Sequence, residues 1–80
     1  MRHYNEQALN AEERAVMRWQ YDILGGFEST LWDAITRADG HNLEALGKGF
    51  PDEVNGYKKF TSVSGWWHEV LERAFNSKEV

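Results

Sequence analysis

The sequence predicts an all-α fold: a small bundle of three to four helices with a long first helix over about residues 11–38. Three observations predict it. Apolar residues recur at helical spacing through most of the chain. No run of β-branched residues alternates with polar ones, so strand signals are weak. Glycines, the single proline and small polar residues fall where such helices would start and stop.

The long helix carries the strongest signal. Asn10 is a good N-cap, and Glu12 and Glu13 follow in the first turn, where the helix dipole favours negative charge. At 100° per residue, Val16, Met17, Gln20, Ile23, Leu24, Phe27, Leu31, Ala34, Ile35 and Ala38 share a stripe roughly 120° wide. Gly25-Gly26 interrupts this segment, each glycine costing about 1 kcal/mol relative to alanine. The stripe keeps its phase across the pair, which favours one helix, bent at the glycines, over two shorter ones. The same glycines would allow close approach of a second backbone, either within the fold or from a partner.

Asp39-Gly40 ends this helix. Asn42 to Leu46 forms a short second helix with Leu43 and Leu46 inward, closed by Gly47-Lys48-Gly49. Phe50-Pro51-Asp52-Glu53 reads as the next helix start, with proline and two acids in the first turn. Phe50, Val54, Tyr57 and Thr61 then share a face, with Phe60 beside it. Ser62 to Gly65 is a connector, and Ser64 is placed to cap a last helix through Trp66, Trp67, Val70, Leu71, Ala74 and Phe75. Residues 1–9 and 76–80 are expected to fray.

Eighty residues make one domain, and so short a chain needs reinforcement to be stable. The absence of cysteine rules out disulfides and cysteine-based zinc sites. Dense packing of the 14% aromatic residues, four of them tryptophan, is one remaining reinforcement, and self-association, with a homodimer expected, is the other. The net charge of −4 and a pI near 5.2 argue against binding that neutralises phosphates, and the longest basic run is Lys58-Lys59. The first residues lack an apolar signal region and no stretch reaches the roughly 18–20 apolar residues of a membrane span, so a cytoplasmic location is expected.

The sequence offers little for catalysis. His3, His41 and His68 lie on three segments, none four residues from another, so exposed polar roles are favoured over a metal site built from Asp39, His41 and His68. Glu12-Glu13 and Asp52-Glu53 are better explained as first-turn helix acids than as an acid–base pair across a cleft. The serines have no nucleophile-elbow setting, and Gly47-Lys48-Gly49 is too short for a phosphate loop. No catalytic site, metal or cofactor is expected.

Aromatic residues carry the remaining information. Trp19 lies on one edge of the long stripe, and Tyr21 and Trp32 lie on the other, as core margin or as interface. Tryptophan and tyrosine are enriched at binding hot spots, which gives the interface reading its weight. Of the neighbours Trp66 and Trp67, which differ by 100°, Trp67 is expected in the core and Trp66 half exposed or covered by another chain. Trp19, Tyr21, Trp32 and Trp66 are therefore the candidate partner-binding residues.

The spacing of Leu24-Gly25-Gly26-Phe27, Leu31, Ala34-Ile35, Ala38-Asp39, Asn42-Leu43, Lys48-Gly49-Phe50-Pro51, Glu53-Val54 and Gly65-Trp66-Trp67 resembles that of short proteins encoded by bacteriophages and prophages. The resemblance covers about residues 24–70 and brings no assigned site residues, so none is carried over. It implies action by contact: small acidic phage proteins without catalytic machinery block host factors, as anti-CRISPR proteins do. An acidic surface can also imitate a nucleic-acid backbone.

The expected function is a phage- or mobile-element-type protein that binds, and inhibits, a bacterial host or defence factor. One alternative is an oligomer that sequesters a nucleotide signal, with Arg37, Lys48, Lys58 and Lys59 on the phosphates. Another is a DNA-associated helix-turn-helix around residues 42–61, which the low basicity disfavours.

Overall fold

The first predicted helix is broken in two. The computed structural model describes residues 4–76, and all its regular structure is helical. After a 3-10 turn at Glu6–Ala8 come α1 (Ala11–Gln20), α2 (Gly26–Arg37), α3 (Gly40–Gly49), α4 (Pro51–Ser62) and α5 (Trp66–Asn76). The expected all-α class holds. Among the described residues there are five α-helices, and none spans residues 11–38.

The break has a local cause. Asp22 adopts a left-handed conformation (φ 58°), its N–H donates to the Trp19 carbonyl at 3.2 Å, and the Ile23 N–H donates to that of Arg18 at 3.0 Å. This paired 5→2 and 6→1 arrangement is a Schellman stop. Its left-handed position is usually glycine, but aspartate tolerates it because its short side chain is polar. The chain thus leaves the helix before it reaches Gly25-Gly26, and those glycines begin α2 instead, as its N-cap and first residue.

The other starts follow the sequence more closely. Asn10 and Glu13 form a reciprocal capping box at α1: the Glu13 N–H donates to Asn10 Oδ1 at 2.8 Å, and the Asn10 N–H to Glu13 Oε1 at 2.9 Å. Asp39 caps α3, accepting from the Asn42 N–H at 2.8 Å. Pro51 opens α4. At α5 the Glu69 N–H bonds the carbonyl of Gly65 (φ 80°), so Gly65 stands where Ser64 was expected to cap.

Helix α4 lies at the centre and packs on α1, α2, α3 and α5. One core cluster joins Val16, Leu31, Trp32, Ile35 and Val54. A second joins Leu9, Met17, Val70 and Ala74, with Trp66 and Trp67 packed against both clusters. Helices α1 and α4 approach closely at Gly56 on α4, where a Cβ would stand 2.7 Å from Val16 Cγ2 and 2.8 Å from the Glu12 carbonyl oxygen. The close approach anticipated at Gly25-Gly26 is therefore made at Gly56, and among the described residues no part of another element lies within 4 Å of where a Cβ on Gly25 or Gly26 would be.

The N-terminal segment also differs from expectation. Residues 1–3 and 77–80 lie outside the described residues, but Tyr4 to Leu9, expected to fray, is docked. Leu9 is buried in the second cluster, the Asn5 N–H donates to the Ala74 carbonyl at 2.9 Å, and Tyr4 meets Phe75 edge to face. An apolar side chain at Leu9 and an Asn5 cap on the 3-10 turn give this segment both a core contact and backbone partners.

Three ion pairs tie α1 to its neighbours. Glu12 meets Lys59 of α4 at 2.6 Å, Arg18 meets Glu28 of α2 at 2.6 Å, and Glu13 meets Arg73 of α5 at 2.6 Å. No described helix is long and apolar enough to cross a membrane.

Candidate functional site

The four residues singled out as partner-binding divide once they are placed. Trp32 is only 2% exposed and is part of the core. Trp19 is half-buried and lies flat on it, ring centroids 4.4 Å apart and planes 5° from parallel, with Phe60 and Tyr57 edge-on to Trp19 at 5.3 and 6.0 Å. Trp32 is therefore interior packing, which corrects its reading as a contact residue, and half-buried Trp19 stacked on it sits at the core margin and clamps α1 to α2. The correction follows from the Asp22 stop: once the chain turns back, the two helix edges face each other instead of solvent. Trp66 and Trp67 are both half-buried, so Trp67 is less enclosed than expected. Tyr21 is 47% exposed and meets Phe75 edge to face at 6.0 Å.

The turn that buries the tryptophans exposes other apolar groups. Among the described residues the large hydrophobic side chains left exposed are Tyr21, Ile23, Phe27 and Val63, and three of these lie in or beside the α1–α2 connection. Phe27 is the most exposed of them, at 67%, and leans against the half-buried ring of Phe50 with centroids 5.8 Å apart. Ile23 and Phe27 sit in the predicted inward stripe. They point outward because the stripe's phase is lost between Tyr21 and Gly25. The signal that could have found them is Asp22 read as a left-handed stop, after which Phe27 falls in the first turn of a new helix.

Two shallow clefts flank this corner. One, about 190 Å³, has Ala15, Leu24 and Trp32 along it and Asp52 and Glu53 of α4 on its wall. The other, about 250 Å³, shares Leu24 and Trp32 and is edged by Asp22, Ser29 and Asp33. Arg18 bridges to Glu28 in the first cleft, and its guanidinium, with help from the Gly25 N–H, holds the Glu28 carboxyl below the usual glutamate range. Arg14, also on that wall, spends its Nη1 on the Leu9 carbonyl at 2.6 Å. Asp52 and Glu53 form no ion pair or side-chain hydrogen bond among the described residues.

The other expected constellations separate. Asp39 is engaged as the α3 cap, His41 is exposed, and His68 lies 3.4 Å from Glu72 on its own helix. No three His, Cys, Asp or Glu side chains converge on a metal position among the described residues, and His3 lies outside them. Of the four cations proposed for phosphates, Lys59 is taken up by Glu12, and Arg37 lies 4.0 Å from Asp33. Helices α3 and α4 are joined through Phe50 alone, a shorter link than the three- or four-residue turn of a helix-turn-helix.

No family model, curated protein or solved structure matches this chain.

Proposed function

We propose that this chain is a small binding protein that works by protein–protein contact through its α1–α2 corner, without chemistry of its own. The observation that carries the reading is Phe27. A phenylalanine this exposed, set against Phe50 and close in sequence to exposed Tyr21 and Ile23, leaves apolar surface in water that a partner would cover with a gain of about 25 cal/mol per Å². Tyr21 stays in the proposed contact set, and Trp66, half-buried on α5 against both core clusters, leaves it. Ile23, Phe27 and Phe50 join Tyr21, and Trp19 and Trp32 become the rigid support beneath. The resemblance to phage-encoded proteins supplies the class of target: a bacterial host or defence factor that the protein occupies and inhibits.

The test is affinity capture of the tagged protein from bacterial lysates, run in parallel with a Phe27→Ser variant. The expected result is one stoichiometric bacterial protein recovered with the wild type and lost with the variant. Identical recovery with both, or none with either across several lysates, would overturn the assignment.

A further inference from the structure

The chemistry of the partner surface can be read from what surrounds the exposed phenylalanine. We infer that the α1–α2 corner docks a basic amphipathic segment of another protein, with its apolar side chains on Phe27, Phe50 and Ile23 and its lysines or arginines over the two flanking clefts. This deepens the protein-binding reading and rests on it.

Charge complementarity around an apolar patch selects the partner. The two clefts beside the corner are lined by five carboxylates, those of Asp22, Glu28, Asp33, Asp52 and Glu53. Two guanidiniums, Arg14 and Arg18, share that lining, which carries −3 of a whole-chain charge of −4, and Arg37 beside the clefts lies 4.0 Å from Asp33. Arg18 is already satisfied by Glu28, and Arg14 donates to backbone carbonyls. Among the described residues Asp52 and Glu53 have no cationic partner. Placing an acidic segment, a nucleic-acid backbone or a second copy of this corner here would bring like charges together, which costs association free energy. A cationic segment meets uncompensated carboxylates at the rim and an aromatic pair at the centre, the usual division of a binding surface into polar rim and apolar anchor. Half-buried Leu24 lines both clefts and gives the aliphatic stem of a lysine or arginine something to lie along.

The test uses the full chain and a fluorescein-labelled amphipathic helical peptide of leucine and lysine, with its leucine and glutamate counterpart as control. Anisotropy is expected to report binding of the lysine peptide alone, weakening as NaCl is raised. D52N/E53Q should weaken it about three- to tenfold at low salt, since each carboxylate contributes a screened rim interaction. Phe27→Ser should weaken it by at least about tenfold, as for an anchor residue. E69Q/E72Q, with the same charge change on exposed α5 positions, should leave it unchanged. Unaltered tryptophan emission and melting temperature in each variant show that the fold is kept.

Equal binding of both peptides, no binding of either, or wild-type affinity in D52N/E53Q overturns the inference. So does a wild type that sediments as a dimer while Phe27→Ser sediments as a monomer, which gives the surface to a second copy. A bacterial partner that is captured by the wild type and D52N/E53Q but lost by Phe27→Ser overturns the charge assignment and leaves the protein-binding reading standing.

Discussion

Arg73 near the end of α5 grips the carboxylate of Glu13 in the first turn of α1 with both terminal nitrogens, at 2.9 Å to Oε1 and 2.6 Å to Oε2. Glu13 is 5% exposed, and the same guanidinium donates to the Ala8 carbonyl at 3.0 Å. One ion pair therefore holds three pieces of chain: the start of α1, the docked N-terminal segment and α5. Removing one member leaves the other without compensation, which typically costs about 3–5 kcal/mol when both are buried. Here the Arg73 side chain keeps 44% exposure, so water partly replaces it, and Arg73→Ala is expected to cost about 2–3 kcal/mol. Urea denaturation of the variant checks this. A loss below about 0.5 kcal/mol would mean that the pair behaves as an ordinary surface bridge.

The same pair sets an acid limit. The Arg73 hydrogen bonds hold the Glu13 carboxyl below its ordinary value of about 4.5, with burial opposing and the Asn10 N–H assisting. A carboxyl whose folded value is depressed adds stability that is fully present above the unfolded value. That stability is lost as pH falls through the folded one. Stability should therefore be flat in Glu13's contribution near neutrality and decline below about pH 4.5. Glu13→Gln, which keeps an acceptor for the Asn10 N–H, should flatten that decline. The check is urea stability of both proteins between pH 7 and pH 3 (roughly the range over which carboxylates titrate), and parallel curves would show that Glu13 is not responsible.

Much of this fold was legible in the sequence, and the failures share one origin. The α1 start at Asn10, the α4 start at Pro51 and the inward positions Val16, Leu31, Ile35, Val54 and Val70 follow from caps and periodicity. The α1–α2 break was hidden because its stop residue is Asp22. The conspicuous breakers, Gly25 and Gly26, come later and begin a helix. An apolar stripe that stayed in phase by coincidence across five non-helical residues, 21–25, then placed Ile23 and Phe27 inside and Trp32 at the edge. The Glu13–Arg73 and Lys59–Glu12 pairs were illegible for a different reason: partners 60 and 47 residues apart leave no local periodic trace.

Gly56 and Gly26 should respond oppositely to the same substitution. An alanine Cβ at Gly56 would lie 2.8 Å from the Glu12 carbonyl oxygen, a backbone atom that moves only if α1 and α4 separate. Overpacking of this kind costs about 1–3 kcal/mol, and it works against the gain of about 1 kcal/mol in helix propensity. Gly56→Ala should therefore lower the urea midpoint. Gly26, with open space around it and a helical backbone, should gain up to about 1 kcal/mol on Gly26→Ala, by restricting the unfolded chain. A Gly56→Ala protein more stable than the wild type would place α1 and α4 farther apart than described.

The division between support and contact at the α1–α2 corner can be tested by separating stability from binding. Trp32 is buried and stacked on Trp19, so Trp32→Ala removes core volume, breaks the stack and leaves a cavity, at about 3–5 kcal/mol. Phe27 is two-thirds in water, and its contact with Phe50 is at the surface, so Phe27→Ser should change stability by no more than about 0.5 kcal/mol. Near-ultraviolet circular dichroism gives an independent reading: the coupled tryptophan signal should vanish in Trp32→Phe and persist in Phe27→Ser. Loss of partner capture in Phe27→Ser, with stability and the tryptophan signal intact, assigns Phe27 to contact. A Phe27→Ser protein that melts several degrees lower with a disturbed tryptophan signal would instead make Phe27 part of the packing, and the case for the corner as a docking surface would lose its anchor.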